Sequence, residues 1–267
     1  MLAPVRAELL KFFTTRLWWG MAIAVFLAGA AFAVLFGFLL TSSTASTGGP
    51  GGTPLTGDAT QVANTVYTAG LGVGYLLMLT IGVLQIGSEY RHKTITGTFL
   101  ATPKRLTAMG AKVLALLVLG VMYGLISLIG SVGAGAVVLS ARGHEAFPST
   151  TVLRTMALSL LVLGLWALIG LGAGILIPNQ VAALLVGIGV AWIVEPLLGF
   201  ALTFWSWGKE HIAPYLPSSA TSSVIGGVGQ EGEAPTLVWW AGALVLTAYA
   251  VVLAGSGMLR TMRADVS

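Results

Sequence analysis

The sequence predicts an all-α integral membrane protein with six transmembrane helices, both termini on the cytoplasmic side and an N-terminal amphipathic helix at the interface. Three observations predict it. The 267 residues are 56% hydrophobic and only 8% charged. Their mean hydropathy is +0.92, far above that of a water-soluble domain. Long uncharged runs recur along the chain, and most of its basic residues fall on alternate connections between them.

Taken in order, the first element is a helix within residues 1–16. Leu2, Val5, Leu9, Phe12 and Phe13 recur at three- and four-residue spacing, while Arg6, Lys11 and Thr14 lie elsewhere on the wheel, which describes a helix lying on a membrane surface. Trp18 and Trp19 mark the headgroup level where the first span enters. The basic residues before this span and the small-residue pattern at Ala31 to Ala33 are compatible with a signal peptide. Apolarity continues unbroken to Leu40, however, which favours an uncleaved anchor.

A crossing needs about 20 apolar residues. The expected spans are Leu17–Leu40, Val66–Ser88, Val113–Leu139, Thr155–Ile177, Val181–Phe204 and Leu237–Leu259. Pro178 and Asn179 divide the long fourth run in two. With the N-terminus inside, Arg6, Lys11, Arg16, Arg91, Lys93, Lys104, Arg105, Lys112, Arg260 and Arg263 are all internal, leaving only Arg142, Arg154 and Lys209 outside. The whole chain, 1–267, reads as one transmembrane domain of a multi-pass protein in the plasma or inner membrane.

Residues 89–112 form the one substantial cytoplasmic loop. Topology alone explains positive charge there, but the pattern holds more. Between Arg91 and Pro103 a short helix would place Ile95 and Phe99 on one face with Thr94 and Thr98 beside them, and Pro103 would stop it. Such an apolar knob suits either a groove on a cytoplasmic partner or the lipid headgroups.

The stretch SEYRHKTITGTFLATPKRLTAMGAK, Ser88 to Lys112, resembles the loop between the second and third spans of ABC-2 type permeases, the membrane subunits of a class of ATP-driven exporters. Glu89, Arg91, Thr94 to Ala101, Pro103 and Arg105 hold the places of that family's span-ending acid, following arginine, coupling helix and Pro-basic exit. At low resolution the resemblance extends to the N-terminal helix and to VEPLLG…YLP. It implies that Glu89, Arg91, Thr94, Ile95, Thr98, Phe99, Pro103 and Arg105 couple to a separate cytoplasmic ATP-binding subunit, which carries the ATP and Mg. It also implies a second permease chain, identical or related, and an elbow role for the N-terminal helix. No cofactor is expected on this chain. It contains no G-x-x-x-x-G-K-[ST] phosphate cradle, so it is not expected to be an enzyme.

Glu195 is the one ionisable residue placed well inside a predicted span, with Pro196 able to kink the fifth helix after it. It either lines a substrate path or pairs with a polar group at the bend. Residues 205–236, with Trp205, Trp207, Tyr215 and the prolines Pro214 and Pro217, are too short and broken to span. They are expected to dip into the outer leaflet and return, or to cap the bundle. In the exporter reading Glu195, Pro196, Tyr215 and Pro217 shape the path or its outer gate.

Other classes recede. There is no cysteine for thiol chemistry and no histidine in a span for an intramembrane protease. The basic residues are too few for nucleic-acid binding. His144 with Glu145 and Glu210 with His211 are ordinary solvated neighbours, so no metal is expected. Glycine pairs such as Gly70/Gly74, Gly120/Gly124 and Gly170/Gly174 announce close helix packing and no more. Two rival readings survive: a secondary transporter in which Glu195 carries a coupling proton, and a membrane scaffold whose loop docks a partner without transport.

Overall fold

A computed structural model of the chain describes residues 2–42, 58–94, 97, 105–226 and 237–263. Every regular element among them is helical. Helix α1 spans Leu2–Phe13, α2 Leu17–Thr41, α3 Ala59–Thr68, α4 Leu71–Arg91, α5 Arg105–Ala141 and α6 Thr150–Leu176. Helix α7, Gln180–Gly189, runs through a π-helical turn at Val190–Val194 into α8, Glu195–Thr203. Then come α9, Ser206–His211, a 3-10 turn at Ala213–Tyr215, α10, Pro217–Ile225, and α11, Trp239–Arg263.

Among the described residues six helical stretches are long and apolar enough to cross a membrane: Leu17–Thr41, Ala59–Arg91, Leu106–Ala141, Thr150–Leu176, Gln180–Thr203 and Trp239–Gly257. They match the six expected spans, with the largest differences of extent at the second and third. The second starts seven residues before Val66 and changes helix at Ala69 and Gly70, where Gly70 packs on the backbone of Gly29 in α2. The third begins at Arg105, a full eight residues before Val113, and so carries Lys112 as a helical residue.

Helix α6 is central, with 72% of its most apolar window buried, whereas the α7–α8 stretch is peripheral at 17%. In a lipid solvent apolar area gives helices little reason to associate, so close backbone approach has to supply packing energy. Glycine makes that approach possible. A Cβ on Gly82 of α4 would meet the Ala167 carbonyl of α6, and one on Gly170 of α6 would meet the Leu79 carbonyl of α4. Met78, Ile81 and Ile86 of α4 pack there with Leu163 and Trp166 of α6 and Leu116, Leu119 and Tyr123 of α5. A smaller cluster, Ala33, Val66, Tyr67, Leu139 and Val152, closes the far end.

Helix ends are fixed by local chemistry. Asp58 and Gln61 make a reciprocal capping box on α3, Ser149 caps α6 and Asn179 caps α7 through the Val181 and Ala182 N–H groups. Helix α4 ends in a Schellman turn: the Thr94 N–H donates to the Glu89 carbonyl at 3.0 Å and the Lys93 N–H to that of Tyr90 at 3.3 Å. Lys93 occupies the left-handed position of this turn, φ 54°, where glycine is usual. The chain thus leaves α4 through a strained, exposed residue.

Candidate functional site

Two polar centres stand out in an otherwise apolar bundle. The first joins α1, α4 and α5. Glu8 and Phe12 are the buried residues of α1, while Leu2 and Phe13, expected on the apolar face, are exposed. Helix α1 therefore presents an acid and an aromatic ring to the bundle rather than an uninterrupted apolar stripe. Phe12 meets the Tyr123 ring edge-on at 6.1 Å, and the Tyr123 hydroxyl donates to the Trp18 carbonyl at 2.8 Å.

Around Glu8 four charges close on one another. Lys112, 1% exposed, donates to Glu8 Oε2 at 2.7 Å and to Glu89 Oε1 at 2.8 Å. Lys11 donates to Glu8 Oε1 and to Glu89 Oε1, both at 2.8 Å. Among the described residues two ammonium groups thus face two carboxylates. Burial is the largest influence on Glu8 and pushes its carboxyl up. The Lys112 charge, with hydrogen bonds from Lys11 and Lys112 and then the Lys11 charge, outweighs it and holds the group below its ordinary 4.5. Burial likewise pushes Lys11 down, and its bonds to Glu8 and Glu89 carry it above 10.5.

This arrangement places some of the expected loop residues and relocates others. Glu89 belongs to the last turn of α4 and is buried in the cluster; Arg91 and Thr94 are exposed beside it. Arg105 is the first residue of α5. Ile95, Thr98, Phe99 and Pro103 lie outside the described residues. Glu8 and Lys112 were missed from sequence. Their signal was a lone acid on an amphipathic helix and a lysine one helical turn inside an apolar run, which a topology count treats as surface charges.

The second centre lies where α8 meets α10. Glu195 is 4% exposed and is the buried residue of α8, while Trp192, Ile193, Leu197 and Leu198 around it are exposed. Pro196 cannot donate a helical hydrogen bond, and the chain answers with the π turn just before it, in which the Glu195 N–H reaches back to the Val190 carbonyl. The extra residue swings the following turn round the helix axis, turning the carboxylate inward. There Glu195 Oε1 accepts the N–H of Ser218, in the first turn of α10, just after Pro217. Among the described residues Glu195 has no ion-pair partner.

Helix α10 reaches deep. The Trp166 indole N–H donates to Thr221 Oγ1 at 2.9 Å, and Trp166 lies about 24 Å along α6 from Thr150 at a rise of about 1.5 Å per residue. Tyr75 of α4 stacks on the same indole at 4.4 Å. The Tyr249 hydroxyl of α11 donates to the Tyr215 carbonyl at 3.3 Å. Glu195, Pro196, Tyr215 and Pro217, grouped from sequence, therefore do come together in one corner. No group of three metal-capable residues occurs among the described residues.

Neither protein-family models nor curated proteins give a match to this chain.

Proposed function

We propose that this chain is the membrane subunit of an ATP-driven exporter of the ABC-2 type, working with a separate cytoplasmic ATPase and a second permease chain. The observation that carries the reading is the four-charge cluster. Helix α4 ends at Arg91, two residues after Glu89, and α5 begins at Arg105, seven residues before Lys112; Glu89 is bound to Lys11 of α1 and Lys112 to Glu8 of α1. A push delivered to this loop would not be absorbed by its ends. It would move α1, α4 and α5 together, and α4 is the helix that packs glycine-to-backbone on the central α6.

In this mechanism the partner hydrolyses ATP and closes on the loop, with Ile95 and Phe99 as the apolar contact. The shift travels through Glu89 into α4 and thence to the corner of Tyr75, Trp166 and Thr221, where α10 and Glu195 shape the outer gate. The orientation is the one given by the basic residues, with the loop inside and α9–α10 outside.

The test is co-expression of the tagged full chain with its natural neighbours, followed by purification in mild detergent. A P-loop ATPase should accompany the wild type and be lost with Phe99→Asp, while the variant still inserts. A chain that purifies alone, or an ATPase retained by Phe99→Asp, contradicts the reading. One observation favours a second: a buried Glu195 without a countercharge among the described residues is what a proton-coupled secondary transporter would use. That reading requires a proton flux in vesicles, abolished by Glu195→Gln, without any ATPase.

A further inference from the structure

A cavity of about 720 Å³ lies beneath α1, between that helix, the last turns of α4 and the first turns of α5. Its walls are mostly apolar, formed by Ala7, Phe12, Leu17, Leu84, Ala108 and Ala111. One end is polar, where Glu8, Lys11, Gln85, Ser88 and Glu89 border it. The volume falls in the range of about 300–1,000 Å³ typical of small-molecule sites, enough for one acyl chain with a small head.

The polar end specifies the head. Both carboxylates there are bound to both lysines, so a ligand carrying a full charge of either sign would meet a like charge and lose its own hydration. An uncharged hydroxyl has neither cost and can donate and accept at once. Gln85 asks for a donor: its Nε2 is 3.4 Å from Glu8 Oε2, while its Oε1 is buried with no partner among the described residues. Buried amide oxygens are rarely left so.

We infer that this cavity binds an uncharged single-chain amphiphile, its chain along Phe12, Leu84 and Ala108 and its hydroxyl head at Gln85 beside the ion-pair cluster. The inference requires the chain to lie in a membrane and is independent of the ATPase reading. The site is walled mainly by the three helices that the cluster joins, with Leu17 of α2 and Gln180 of α7 also bordering it, so its occupant wedges α1 against α4 and α5.

The experiment uses the full chain, without any ATPase, in phosphatidylcholine nanodiscs with a monoolein analogue carrying a diazirine in its acyl chain. After photolysis, label should concentrate on peptides holding Ala7, Leu84 and Ala108, and excess monoolein should lower it about tenfold. Gln85→Leu should weaken labelling several-fold, and Ala108→Trp, which fills the cavity, should reduce it at least fivefold. Leu84→Trp serves the same purpose should Ala108→Trp fail to fold. Labelling spread evenly over exposed Leu185, Trp192 and Phe200, or uncompeted by monoolein, would mean bulk lipid contact and overturn the site. Stronger competition by dodecyl phosphate or dodecylamine than by monoolein would overturn the uncharged head.

Discussion

The two polar centres solve the same problem in different ways. At the α1 end, carboxylates are buried with their countercharges: Glu8, Glu89 and Lys112 are nearly fully enclosed and each carboxylate meets two ammonium groups. At the α8–α10 corner a single carboxylate, Glu195, is enclosed with a backbone N–H from Ser218. The first arrangement depends on charge, since removing the buried Lys112 takes a countercharge from both carboxylates. The second depends only on an acceptor in the right place, and it joins two short elements, one of them a peripheral helix. A buried network of paired charges makes a stiff joint, whereas hydrogen bonds from one residue, Ser218, between a π-interrupted helix and a short helix make a contact that can open. That contrast fits a stroke received at one end and a gate operated toward the other.

The largest expected effect comes from breaking the charged joint. Lys112→Met removes the buried ammonium shared by Glu8 and Glu89, and should cost about 3–5 kcal/mol of stability, read as a lower unfolding midpoint in detergent. A change within about 1 kcal/mol would mean that the cluster is wetter and looser than its geometry.

Acid tests the same joint without mutation. Glu8 is held below 4.5 in the folded protein, so it contributes stability above that value and loses it as pH falls through the depressed one. Lys11 is held above 10.5, so its contribution is complete below 10.5 and disappears as pH rises through the raised value. The melting temperature should therefore be flat near neutrality and fall on both sides, with the acid fall beginning below about pH 4.5. A chain equally stable at pH 3 and pH 7 would remove Glu8 from the cluster's energetics.

At the other centre the contrast calls for a pair of substitutions. Glu195→Leu should cost about 1–3 kcal/mol by leaving the Ser218 N–H without its acceptor, whereas Glu195→Gln, which keeps an oxygen there, should cost less than about 1 kcal/mol. Equal losses in the two variants would show that charge matters at this corner after all. The smallest effect should be that of Lys11→Met. Its side chain is 50% exposed, and solvent-screened pairs of this kind are worth about 0–1 kcal/mol.

The spans were legible because long apolar runs have one solution in a bilayer. Their interruptions were legible only in part. Pro178 and Asn179 announced the α6–α7 break, but nothing in LVGIGVAWIV announces that the chain inserts an extra residue before Glu195 rather than kinking at Pro196. The corner of Glu195, Tyr215 and Pro217 was legible from a lone acid in an apolar run and a proline-punctuated segment after it. Glu8 and Lys112 were not, because a charge near a predicted boundary looks like topology until its distance to another charge is known, and that distance depends on tertiary packing. The glycine pairs carried too little information for the same reason: Gly170 of the Gly170/Gly174 pair packs on Leu79, and Gly82, in no such pair, packs just as closely on Ala167.

The coupling role proposed for the charged joint requires its end of the bundle to face the ATP. The chain has no cysteine, so a single one reports on one place. His92→Cys puts a thiol at the exposed turn beside the cluster and Glu145→Cys puts one in the exposed connection at the opposite end. With a membrane-impermeant maleimide on intact cells, Glu145→Cys should label at once and His92→Cys only after permeabilisation. Labelling of His92→Cys from outside would place the loop away from ATP and contradict the coupling mechanism.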